Sequence, residues 1–264
     1  GRDGTRHAVG GPCGTPLIPR RSHGGTGDRR SFVTEPRDAR LIPESATEGR
    51  RAASEILAEV RRGRRLDRAF ADREFADPRD RAWCRELVFG IERLRGRLDY
   101  LLDRRVRRGL GSLDVQVRDA LRIGLYEILY MDGVPEYAAV SQAVALARSL
   151  AGPGIGGLVN AVLRAVVREG GGEEHFPDPS ADPLGYLSTW GSHPRWLVER
   201  WLARWSFGDV QDLIERNNRV PPIHLRCLWD SPERAQEALA SEGIEAEPIG
   251  CGTGCVLLHE HGTL

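Results

Sequence analysis

Three groups of residues in this chain have the types that chemistry uses. The first is the glycine-rich stretch Gly250-Cys251-Gly252-Thr253-Gly254-Cys255. Such a loop can turn tightly beneath a nucleotide-type cofactor only between an apolar strand and a helix, with an acidic residue about 20 positions on to hold ribose hydroxyls. Here Glu245-Ala246-Glu247-Pro248-Ile249 precedes it, poorly apolar and broken by proline, and Val256-Leu257-Leu258-His259 follows as a strand. The stretch reads as a hairpin turn, and no cofactor is expected on this chain. The second group, Cys251, Cys255, His259 and His261, lacks the spacing of a zinc finger or ribbon, so no metal is expected. The third is the thiol of Pro12-Cys13-Gly14. A thiol becomes a nucleophile only in a positioned, electropositive setting, and no strand precedes this one. No catalytic residue is assigned.

A fourth group is basic, and its chemistry is binding. All 38 basic residues are arginine. Residues 1–168 hold 31 of them against 22 acidic residues, and residues 169–264 hold 7 against 16, so a formal charge of zero hides +9 and −9. A basic half joined to an acidic half suggests that one half meets a polyanion. The candidates are Arg50 and Arg51, the run Arg61, Arg62, Arg64 and Arg65, and the run Arg104, Arg105, Arg107 and Arg108. Clustered cations suffice for phosphate, whereas reading bases needs stacking surfaces. Trp190, Trp196, Trp201 and Trp205 offer such surfaces, although the spacing of the last three also suits a core. Both arginine runs fall near helix ends, where cations also complement the dipole.

The elements that must position these residues are mostly helical. Residues 1–46 are rich in Gly, Pro, Ser, Thr and Arg without hydrophobic period, and read as a disordered tail. Helical periodicity runs from Thr47, a candidate cap, through Ala53, Ile56, Leu57 and Val60, then a short segment around Leu66 and Phe70. Pro78 opens a longer helix whose apolar face continues to Leu102, and Asp114 and Pro135 start two more. A last helix from Leu158 ends at the glycines 170–172, giving six or seven helices in about 120 residues, an all-α bundle. Asn160, near the start of that helix, reads as a buried hydrogen-bonding residue. Residues 170–183 read as a linker, followed by short helices around 184–190, 194–205 and 207–217. From residue 222 the texture becomes β-α-β-β.

Residues 121–164, with Leu121-Arg122-Ile123-Gly124-Leu125-Tyr126-Glu127, the Val134-Pro135 hinge, Ala139-Val140 to Ala143-Val144, and Val159-Asn160, resemble the NusB family of RNA-binding helical domains. Gly49-Arg50-Arg51-Ala52-Ala53 is similar to that family's basic first helix, while Ser141 stands where its pattern has Asn. Ser192-His193-Pro194-Arg195-Trp196-Leu197 and Asn217-Asn218-Arg219-Val220-Pro221-Pro222-Ile223-His224-Leu225-Arg226 resemble the RsmB group of the NOP2/Sun RNA cytosine methyltransferases. Cys227 and Leu228 depart from the Val and Asn usual there.

The resemblance implies a NusB-like RNA-binding domain over 47–169, then over 184–264 a small helical segment and a truncated RRM-like α/β unit. It implies a parent enzyme that methylates carbon 5 of a cytosine in small-subunit ribosomal RNA, with S-adenosylmethionine as its cofactor. In that group a Pro-Cys pair far downstream carries the nucleophile, which the Pro12-Cys13 pair is not placed to imitate. This chain is expected to hold and position RNA, to lack the catalytic domain and to be inactive alone. A NusB-type transcription antitermination factor and a helical protein-interaction module are the alternatives. The expected partner is ribosomal RNA, with a ribosomal protein as a second candidate, and the chain is expected to be a monomer. No apolar run approaches the ~20 residues that cross a bilayer. Five scattered cysteines and no apolar leader favour a reducing cytoplasm over a disulfide framework.

Overall fold

Thr47 has the extended backbone of an N-cap before α1 (Glu48–Arg61), but its hydroxyl accepts from Arg50 and caps no first-turn amide. In the computed structural model, which describes residues 45–228, 231–249 and 254–258, the expected tail over 1–44 and the residues Gly250–Thr253, His259 and His261 lie outside the described set. Ala46, assigned from sequence to the tail, is buried in the core. After the short α2 (Leu66–Ala71), the Asp77 carboxylate accepts from the Arg79 amide to begin α3 (Pro78–Arg93), with proline in the first turn, where its missing N–H costs nothing. The apolar face that reads as one helix to Leu102 is two: the chain breaks at Leu94, and α4 (Arg95–Asp103) follows.

Asp114 caps α5 (Val115–Tyr130) through the Gln116 amide at 2.8 Å. This helix is buried on nearly every face from Val117 to Ile128, as a central helix must be. Around it pack α1, α3, α4, α6 (Glu136–Ala151) and α7 (Gly156–Glu169). Gly124 permits a close crossing: a Cβ there would stand 2.7 Å from both the Ala143 and Leu163 side chains.

Residues 170–183 do not behave as a free linker. Phe176 is buried, stacked on Tyr100 with centroids 5.0 Å apart and edge-on to Trp190 at 5.1 Å. The Tyr186 hydroxyl donates to Glu173 at 2.5 Å. One hydrophobic core therefore continues from Ala46 through α8 (Pro183–Thr189), α9 (Arg195–Leu202) and α10 (Phe207–Asn217) to Ile214.

The expected β-α-β-β unit is present as β1 (Ile223–Arg226), α11 (Pro232–Ser241), β2 (Ala246–Pro248) and β3 (Cys255–Leu258). Its sheet has the order β1-β3-β2, with both pairs antiparallel: Leu225 faces Val256, and Ala246 faces Leu258. Val256, Leu258 and Ala246 form its own small core with Leu225 and Leu239.

Candidate nucleic-acid interface

Several arginines expected to meet RNA are instead committed to carboxylates inside the protein. Arg50 is buried: its Nε lies 2.9 Å from Glu127, its Nη1 donates to Thr47 at 2.7 Å, and its guanidinium stands over Trp83. Placing Arg50 on an RNA surface is thus corrected, because Glu127 on the central helix is fully buried and needs a counter-charge. Burial pushes the Glu127 carboxyl above the usual carboxylate range, with Arg50 and Trp83 pulling it back. Arg61 pairs with buried Asp119, which Arg122 also holds at 2.9 Å, and Arg122 in turn grips Asp99 through two bonds of 2.6 and 2.8 Å. Arg105 donates to the Leu101 carbonyl at 2.8 Å and sits 3.0 Å from Glu169, tying α4 to the end of α7. Arg61 and Arg105 act as internal ties.

The other candidates lie at the surface in two states. Arg51 pairs with Glu48 at 2.6 Å, Arg64 with Glu59 and Asp72, and Arg65 with Asp67 at 2.9 Å. Such exposed pairs are weakened by solvent and salt, so a polyanion can compete for these cations. Arg104 lies over the Tyr100 ring, 5.7 Å from its centre. Arg62, Arg107 and Arg108 are exposed and have no carboxylate partner among the described residues.

Among the further arginines without such a partner, which the sequence did not single out, are Arg81, Arg85 and Arg93 on α3, and Arg216 and Arg219 at the end of α10. They form no contiguous run. The signal that finds them is helical spacing, since 81, 85 and 93 fall at multiples of four along one helix. Of the tryptophans, Trp190 and Trp201 pack against the core, while Trp196 and Trp205 stand 63% and 49% exposed. Asn160, expected to be buried, is exposed.

The two motifs around residues 192 and 217 form a joint. The Ser192 hydroxyl accepts from the Gly96 amide at 2.9 Å, capping α4 from across the fold. His193 turns Nδ1 to the Gly191 carbonyl at 2.7 Å and Nε2 to the Asn217 amide at 3.3 Å. A carbonyl only accepts, so Nδ1 carries the proton and Nε2 accepts from Asn217. Asn218 donates to the same Gly191 carbonyl at 2.8 Å, and Arg97 donates to the Trp190 carbonyl at 2.6 Å while stacking on its ring.

β2 and β3 pair antiparallel, so the element after Gly250–Thr253, which lie outside the described residues, is a strand and not a helix. A cofactor loop needs a strand and then a helix, so no residue here is assigned to S-adenosylmethionine. Cys84 is fully buried, and burial pushes its thiol up to about 12, which leaves it protonated at neutral pH. No helix among the described residues is long and apolar enough to cross a membrane.

A basic helical bundle followed by a small antiparallel α/β unit with its own core defines a recognised pairing of domains. The NusB family matches residues 47–168, and the Methyltr_RsmF/B-like, ferredoxin-like domain matches residues 193–264. The chain carries a NusB domain and an RsmF/B ferredoxin-like domain, and is similar to proteins of the Sun/RsmB family. It is 34% identical over 171 residues to the probable ribosomal RNA small subunit methyltransferase B of Bacillus subtilis, a match covering 64% of this chain and 37% of that protein. It is 35% identical over 215 residues to the ribosomal RNA small subunit methyltransferase B of Pseudomonas putida, covering 80% of this chain and 48% of that one. The chain thus spans less than half the length of these curated relatives. The crystal structure of PH0851 shares the fold over 84% of this chain and 50% of its own, with a TM-score of 0.54 at 20% identity.

Proposed function

We propose that this chain is the RNA-holding portion of a cytoplasmic small-subunit ribosomal RNA cytosine-5 methyltransferase. It grips and orients the ribosomal RNA; the methyl group comes from S-adenosylmethionine bound outside the residues described here. The observation that carries this reading is that Arg62, Arg107 and Arg108, on the NusB-type region, are exposed and have no carboxylate partner among the described residues. A cation kept at the surface without an internal partner is free to displace the counterions of a phosphate backbone.

The reading is tested by titrating the chain with a labelled fragment of small-subunit ribosomal RNA over a series of salt concentrations. The logarithm of the binding constant should fall linearly with the logarithm of salt, at about −0.7 per phosphate neutralised in a single strand. Binding that ignores salt would overturn it and favour a protein-interaction module.

A further inference from the structure

Helix α3 presents a row in which every fourth residue is Arg81, Arg85, Phe89 and Arg93. Four residues advance a helix by about 6 Å and overshoot one turn by about 40°, so the row climbs about 18 Å while winding by about 120° around the helix. Arg81 and Arg85 are exposed. Their guanidinium carbons stand 5.0 Å from the centre of Phe70 and 6.0 Å from that of Phe89. An aromatic face steadies a cation without neutralising it. Of the acidic residues of the same helix, Glu86 accepts from the Tyr126 hydroxyl at 2.6 Å and Glu92 pairs with Arg95, while Asp80 has no ion-pair partner among the described residues. The row itself holds three arginines and no carboxylate.

At its C-terminal end the row opens into a groove of ≈ 590 Å³ between α3 and the end of α10. Phe89 and Arg93 form one wall, and Arg216, Arg219, Val220 and Pro222 the other. No carboxylate lines it. Its surface combines guanidinium groups with an aromatic ring, a proline and Val220, a side chain left 54% exposed to water. That combination suits a strand whose bases are splayed from their stack, because phosphates take the cations and a base face takes the apolar wall. A duplex would offer the groove phosphates but no free base face.

We propose that the α3 row and this groove form a single track for single-stranded RNA. Phosphates lie along Arg81, Arg85, Arg93, Arg216 and Arg219, and one unstacked base packs in the cleft of Phe89 and Val220. The proposal rests on the RNA-holding reading and gives it a path that joins the NusB-type region to the segment leading into the sheet.

The test uses the full chain and a fluorescent single-stranded RNA of ~12 nucleotides, with binding followed by anisotropy over a range of salt. One variant carries Arg81→Gln, Arg85→Gln and Arg93→Gln, a second Arg216→Gln and Arg219→Gln, and a control Arg164→Gln and Arg168→Gln on α7. None of the five track arginines has an ion-pair partner among the described residues, so no carboxylate is orphaned. Circular dichroism confirms that each variant is folded. The first two variants should bind about tenfold or more weakly at moderate salt, with slopes flattened by about 2 and about 1.4, while the control stays near the parent. A parent that binds with salt dependence while both track variants match it would overturn the track and leave the RNA-holding reading standing. A parent with no salt-dependent RNA binding would overturn both. A duplex of the same sequence that binds as tightly as the single strand would overturn the single-strand assignment. Retained RNA affinity with lost binding of a ten-residue glutamate peptide would make the groove a protein site and overturn the track as well.

Discussion

At the scale of single residues, an arginine's neighbours decide whether it faces inward or outward, and neighbours distant in sequence are invisible to a linear reading. Arg50 and Arg51 are adjacent, yet one is sealed against Glu127 and the other lies at the surface beside Glu48. Arg50→Ala should therefore cost about 3–5 kcal/mol of stability, because it leaves a carboxylate buried without a counter-charge. The sign of its pH dependence follows from the same geometry. The Glu127 carboxyl is already pushed up by burial, and losing Arg50 pushes it further. A carboxyl whose folded value is raised lends stability below its unfolded value and loses it as pH rises through the folded one. The deficit of the variant relative to the parent should thus be larger at pH 8 than at pH 5, measured by urea unfolding at each pH. A deficit that shrinks as pH rises would contradict this. At matched fraction folded, the variant's RNA salt slope should equal the parent's, since Arg50 is no surface cation.

At the scale of elements, caps and breaks carry the connections. The helices were legible because Pro78, Asp114 and Pro135 announce their starts and apolar residues mark the face that packs. The break at Leu94 was not, because no glycine or proline stands at Leu94 or on either side of it, and Gly96 falls inside α4. Nor was the role of Ser192, whose partner lies 96 residues away. Ser192 adopts φ 59°, a conformation in which a side chain is strained. Ser192→Ala removes the acceptor and leaves the Gly96 amide unpaired, which should cost about 1–2 kcal/mol. Ser192→Gly removes the same acceptor but relieves about 1 kcal/mol of strain, so it should fall closer to the parent. Denaturation midpoints in the reverse order would contradict this account of the joint.

At the scale of the whole molecule, composition misleads where packing overrides it. Residues 170–183 have the glycine, proline and acidic content of a linker, yet Phe176 is enough to draw them into the core between Tyr100 and Trp190. A protease that cleaves after glutamate should spare Glu173 and Glu174 in the folded parent. Phe176→Ala, expected to cost about 3–5 kcal/mol, should expose them, with the new fragments read by mass spectrometry. Early cleavage there in the parent would restore the linker reading. The division of charge was plain in the sequence, but contiguous runs drew attention to Arg61 and Arg105, which are bound internally, and away from the row on α3, whose members stand four residues apart. The cap that Ser192 places on Gly96 has a further consequence, in the time domain. First-turn amides have no carbonyl partner within their own helix, and ordinarily trade their hydrogens with solvent early. The Gly96 hydrogen is held by a residue outside its own helix, so deuterium can replace it only in the moments when α4 and the turn before α9 part. That one amide keeps time for the opening of the joint.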